Sequence, residues 1–368
     1  MWYDKDMEQA PKEISPEEMD ADTIANRWAE MPRMMARERI KQRTTCSVID
    51  TQEHTQEILY ALAPDEEGHQ KSAYEVFNDF GVDEKERGQE VPGWKAMTKS
   101  FLEKSLTKTE IWIRQNYANL TGKSQKETAN FLENLETLRS QTVWKDGDVT
   151  DIDKNLKYQA LNWRPVRCQS DLFVHCRNYA NTEKIGHDRI EARLYMSPSL
   201  ENLIPLVKKI IEKYDEQDKR YYLKFATKGG RNDKLVLLTN YQSINSDLKM
   251  LQEIQDEHPE LFEEMGKNPL WGEMKGAPKG VYFGEEPKAS GKFSYGTLRG
   301  QVFDRAYQRW KQAYGFDRDG KEHERQMVTS PFLPSPAMLV FRSMVGEEAQ
   351  KAGIGSGIQT FCFNEDEW

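Results

Sequence analysis

Along residues 189 to 196, RIEARLYM, apolar and polar positions alternate without a break. Ile190, Ala192, Leu194 and Met196 fall on one side, and Arg189, Glu191, Arg193 and Tyr195 on the other. A period of two predicts a half-buried strand, here with a polar face able to carry chemistry. Ser197-Pro198 then opens a helix in which Leu200, Leu203, Ile204, Val207, Ile210, Ile211 and Tyr214 recur at a spacing of three and four. Residues 221 to 240 read as two strands around a loop. A helix follows with Ile244, Leu248, Leu251 and Ile254 inward, then a short strand at Val281 to Phe283 and a helix from Thr297 to Tyr314. Two apolar runs, AMLVFR at 337 to 342 and IQTFCF at 358 to 363, read as closing strands. This order predicts an α+β fold whose mixed, largely antiparallel sheet is flanked by helices.

Before residue 150 the period is helical. Ser15-Pro16-Glu17-Glu18 has the form of a helix start, with Ile24, Trp28, Met31 and Met35 at helical spacing behind it. Ser124 with Glu127 opens a second helix, with Phe131, Leu132, Leu135 and Leu138 on its apolar side. The run WKDGDVTDIDKN, 144 to 155, lacks periodicity and is rich in turn formers. We therefore divide the chain into a helical N-terminal region, 1 to 155, and an α+β domain, 156 to 368.

Composition narrows the function. The chain has 368 residues, 37% hydrophobic and 31% charged, with a net charge of −9. That balance allows a core under a polar surface and disfavours nucleic-acid binding, since phosphate backbones attract basic surfaces. No apolar run is long enough for a membrane span. The start, MWYDKDMEQAPKEISPEEMD, lacks a cationic stretch followed by an apolar one. The expected location is cytoplasmic, or a host cell reached by export without a cleaved signal peptide. Cys46, Cys168, Cys176 and Cys362 form no Cys-x-x-Cys pair, so reduced thiols and no metal site are expected. Nothing in the sequence calls for an organic cofactor.

Against the acidic whole, Lys219 to Asn240 carries six Lys or Arg and a single acid, Asp233. Lys224 falls mid-strand among apolar neighbours, where a lysine either guards a sheet edge or meets an anion. Lys228 and Arg231 flank Gly229-Gly230, whose backbone freedom can turn amide groups toward an anion. In VYFGEEPKASGKFSYGTLRG, 281 to 300, a strand enters a Gly/Ser/Lys loop, and Ser294, Thr297 and Arg299 stand near the start of the next helix. A helix start favours an anion, though plain capping by Ser294 or Thr297 is the simpler use. His175 and His187 lie near the polar strand as possible proton carriers. Gly353-Ile-Gly355-Ser-Gly357 precedes a predicted strand, so it does not fit a dinucleotide loop.

Taken in order, RLYMSP (193 to 198), YLKFATKGGRNDKLVLLTN (222 to 240) and GVYFGEEPKASGKFSYGTLRGQVFDRAY (280 to 307) resemble the HopA-type type III effector family. That family is related to class V lanthipeptide lyases and phosphothreonine lyases, and the resemblance covers roughly residues 160 to 315. It implies an α+β domain that binds a phosphorylated Ser or Thr of a protein or peptide and, in the lyases, eliminates the phosphate. It also implies phosphate contacts from Arg231, Lys228, Ser294 and Arg299. RLYMSP aligns with the lyase strand Lys-Phe-His-Ile-Ser-Val, with Arg193 on its lysine and Tyr195 on its histidine. Guanidinium is a poor base, so the catalytic set implied here is Lys224 as base, Tyr195 as acid and Arg193 as an anchoring charge. The alternative is a non-catalytic interaction protein that keeps the fold and binds a chaperone or host protein through its N-terminal region.

Overall fold

The computed structural model describes residues 21–46, 52–65, 67–80, 82–116, 122, 125–126, 129–130, 166–169, 173–177, 190–287, 294–314, 335–355 and 361–364. The starts at Ser15 and Ser124, the 144 to 155 run, His187, and residues 358 to 360 lie outside them. The elements are, in order, α1 (Ala21–Arg43), β1 (Thr44–Cys46), α2 (Gln52–Leu62), α3 (Ala73–Asp79), α4 (Trp94–Asn116), β2 (Val166–Gln169) and β3 (Phe173–Arg177). They continue with β4 (Ala192–Met196), α5 (Leu200–Glu216), β5 (Tyr222–Ala226), β6 (Leu235–Thr239) and α6 (Ile244–Glu257). The last are β7 (Gly272–Met274), β8 (Tyr282–Glu285), α7 (Tyr295–Tyr314) and α8 (Ser335–Lys351). This is a mixed α+β fold. Among the described residues eight strands form one sheet in the order β1-β7-β8-β4-β6-β5-β3-β2, and every pairing is antiparallel.

The register sorts side chains onto two faces. One carries Ala192, Leu194, Met196, Leu223, Phe225, Leu235, Leu237, Val174 and Cys176, all buried. It is joined in one core by the apolar sides of α5 and α6. In α5, Leu200, Leu203, Ile204, Val207, Ile210, Ile211 and Tyr214 are buried as the spacing predicts, each contributing about 1.5–3 kcal/mol. Tyr214 of α5 donates to Asp247 of α6 at 2.7 Å, and Thr239 of β6 donates to the same carboxylate, tying both helices to the sheet.

The other face carries Arg193, Tyr195, Val236, Leu238, Tyr222, Lys224, His175 and Phe173. It is the polar face expected of β4, but it does not meet solvent: Tyr195 is 3% exposed. Helices from both ends of the chain form the layer over it. Phe77 of α3 meets Phe303 of α7 edge-on at 4.8 Å, and Phe303 meets Phe341 of α8 at 6.4 Å. At Gly300 an added Cβ would stand 2.9 Å from the Tyr74 backbone nitrogen, so only glycine lets α3 and α7 approach this closely.

Two expectations are corrected. Residues 337 to 342 are helical, within α8: Ala337, Met338, Phe341, Val345 and Ala349 are buried at a helical period, and a run of five apolar residues cannot separate helix from strand by itself. Phe361 to Phe363 form a turn, not a strand, and Gly353, at φ +64°, ends α8 while the Ile354 N–H reaches back to Ala349 O. The helical spacing of Ile24, Trp28, Met31 and Met35 falls within α1; among the described side chains of that helix Arg37 and Ile40 are buried, whereas Met31 and Met35 are 42% and 53% exposed.

Candidate functional site

Antiparallel register sets Tyr195, Val236 and Lys224 in one row across β4, β6 and β5, so Tyr195 and Lys224 are two strands apart, about 10 Å between Cα atoms. Arg193 lies one step along the same face. β5 is an interior strand, flanked by β6 and β3, so Lys224 does not guard an edge. A small cavity of about 30 Å³ opens over this face, lined by Arg193, Tyr195, Lys224, Asp233, Ser294 and Trp271 among others. It has room for a water or two.

The charges around it are paired within the protein. Arg193 clasps Glu286 through two hydrogen bonds, Nη2 to Oε1 at 2.6 Å and Nε to Oε2. Arg231 makes a second fork on Asp233, at 2.8 and 3.3 Å, and reaches the Tyr74 hydroxyl at 3.1 Å. Lys224 Nζ is 3.8 Å from Asp233 Oδ2 and 4.1 Å from the centre of the Phe173 ring, which Arg231 also faces at 4.8 Å. Three cations and two carboxylates thus share a buried patch with an excess of one positive charge.

Burial dominates the electrostatics. Together with the charges of Arg193 and Arg231 it brings the Lys224 ammonium down to about 8, against the opposing pull of Asp233 and Glu286. Burial alone would raise Asp233, but Arg231 and Lys224 hold its carboxyl below the usual range. Burial also works against the guanidinium charges of Arg193 and Arg231; their carboxylates overcome it, and both stay charged. Tyr195, stacked on Trp271 at 4.6 Å, is pushed well up by burial and remains a protonated phenol.

The other sequence candidates stand elsewhere or are already engaged. Lys228 is exposed in the turn between β5 and β6. The Gly229 N–H of that turn does not point to open solvent, because it donates to Gln89 O at 2.8 Å. An N-terminal segment, residues 84 to 91, closes over the turn, and Lys234 behind it pairs with Glu86. Ser294 lines the cavity and caps α7, accepting from the Thr297 N–H at 3.3 Å. Arg299 is fully buried over the Tyr295 ring, where it donates to the Phe361 and Phe363 carbonyls and holds the C-terminal turn. His175 meets the Tyr222 hydroxyl at 2.9 Å.

Sequence reading passed over Asp233 and Glu286, although both had a signal: the one acid in a cationic stretch, and the acid just after β8. Tyr74, Phe173 and Trp271 carried none. Among the described residues no group of His, Cys, Asp and Glu could hold a metal ion, and no helix is long and apolar enough to cross a membrane.

Fold and site together define an α+β protein with a buried, excess-positive cleft on one sheet face. No family model matches the chain, and no curated protein matches it. Among solved structures, it is similar to the effector protein from Pseudomonas syringae pv. tomato strain DC3000, at 12% identity and a TM-score of 0.43, covering 85% of this chain and 97% of that one. It is also similar to the effector protein from Pseudomonas syringae pv. syringae strain 61, at 11% identity and a TM-score of 0.31, covering 74% and 99%. TM-scores below 0.5 do not establish a shared fold.

Proposed function

We propose that the cleft receives the phosphoryl group of a phosphorylated Ser or Thr side chain and that the protein eliminates it as a phosphoserine/phosphothreonine lyase. The observation that carries this reading is Lys224: a buried lysine brought down to about 8, lining a cavity with Tyr195, Arg193 and Ser294. A lysine near that value supplies a neutral amine at mildly alkaline pH, as a proton acceptor must. In the reaction the Lys224 amine takes the Cα proton, the Cα–H pair forms the Cα=Cβ bond, and the Cβ–O bond breaks toward phosphate. Tyr195, kept protonated, donates to the departing oxygen, and Arg193 carries its negative charge. The products are a dehydrated residue and inorganic phosphate. Arg231 acts one carboxylate removed, through Asp233, and neither Lys228 nor Arg299 has a place in this step.

One observation favours a second reading, a non-catalytic interaction protein: both guanidinium forks are already filled by carboxylates. Incubating the purified protein with phosphothreonine and phosphoserine peptides separates the two. Mass spectrometry is expected to show the loss of phosphoric acid, with the product trapped by an added thiol. Unmodified peptide that still binds the protein supports the interaction reading and removes the lyase.

A further inference from the structure

The cavity beside Lys224, at about 30 Å³, holds water but not a phosphoryl group, so a ligand can enter only if a side chain yields its place. Two carboxylates occupy the cations, and they are not held alike. Asp233, with its side chain 11% exposed, is shared by Arg231 and Lys224 and sits at the mouth of β6. Glu286 follows β8, its side chain is 21% exposed, and it is bound to Arg193 alone among the three site cations. Its backbone is fixed independently of its carboxylate: the N–H donates to Glu191 O at 2.8 Å, and its C=O accepts from Asn364 Nδ2 at 2.7 Å. The side chain can therefore swing toward solvent while the main chain stays in place.

We propose that Glu286 is a resident anion that sets the affinity of the cleft: it occupies Arg193, and an anionic ligand binds only by displacing it. This rests on the reading of the cleft as a phosphoryl site. With Glu286 in place, Arg193, Lys224 and Arg231 against Asp233 and Glu286 leave one positive charge. With Glu286 moved out, the remaining four groups carry two. A phosphomonoester dianion neutralises them, whereas a sulfate ester, a phosphodiester or a carboxylate only exchanges one monoanion for another. In a buried, low-dielectric patch that difference is large. The Arg193 fork suits phosphate as well as it suits carboxylate.

The test is fluorescence anisotropy on the full chain at pH 7.5, with one labelled peptide carrying either phosphothreonine or its sulfate-ester counterpart. The phosphate is then mostly dianionic and the sulfate monoanionic. The wild-type protein is expected to prefer the phosphopeptide by at least about tenfold. Glu286→Gln is expected to tighten both peptides by about tenfold over wild type, because neither ligand then has a carboxylate to displace, and to leave the preference itself in place. Glu286→Asp, whose shorter arm cannot close the fork, is expected to fall between wild type and Glu286→Gln and serves if the glutamine variant does not fold. Affinities for both peptides that are unchanged in Glu286→Gln overturn the proposal while leaving the phosphoryl site standing, as does weakening of both peptides by Glu286→Gln. Folded proteins that bind neither peptide overturn both.

Discussion

Replacing Lys224 by methionine tests the electrostatics on which the site depends. The methionine keeps the length and apolar stem of the lysine in an interior strand and removes its charge. The drop from the ordinary lysine value of 10.5 to about 8 corresponds to about 3 kcal/mol, at 1.36 kcal/mol per pH unit. The sign follows from proton counting. Between those two values the unfolded chain holds a proton on Lys224 that the folded protein has released, so this group's contribution to stability rises with pH. Below pH 8 the fold bears the full burden of a buried ammonium, and above 10.5 it bears none. The variant carries no such burden at any pH. Wild type should therefore gain on Lys224→Met by about 2 kcal/mol between pH 7 and pH 10, most of it above pH 8. Urea unfolding of both proteins at half-unit intervals measures the difference, and other titrating groups largely cancel in it. A difference that stays flat across this range refutes the claim that burial lowers Lys224, and with it the proton acceptor.

Three further outcomes are expected. If Lys224 is the base, kcat/KM for elimination should climb with pH and bend near 8, the value in the free protein; a bend at 6 or below points to another group. Gly229→Ala would place a Cβ 2.1 Å from the Glu86 carbonyl oxygen, so it should lower stability by about 1–3 kcal/mol in thermal unfolding. Asp247 is held above the usual carboxylate range by burial, with the Tyr214 and Thr239 hydroxyls opposing; its contribution is intact below the ordinary carboxylate value and is lost as pH rises through its folded one. Asp247→Asn should accordingly fare better relative to wild type at pH 7 than at pH 4 in urea unfolding, and the reverse order would show that the carboxylate is welcome there.

Local periodicity determined much of this protein. The alternation around β4, the inward row of α5, the paired strands β5 and β6, and the start of α7 could all be read from spacing, because a side chain's face follows from the repeat of its own backbone. That Arg193 and Tyr195 share a face was legible for the same reason. The same logic failed at 337 to 342, where five apolar residues satisfy either period and the burial of Phe341 and Val345 in the common core decides for a helix. Only the tertiary structure decided what the cationic stretch meets. Lys224, Arg231 and Arg193 read as open positive charges because their carboxylates act across space: Glu286 comes from the far end of β8, and Asp233 counts as a partner only once the turn folds back. Tyr74, Phe173 and Trp271 reach the cleft from three separate segments, and Arg299 turns away from it to hold the C-terminal turn. Electrostatic and packing energies depend on distance in space, which strand order and helix docking set, and no repeat along the chain records them.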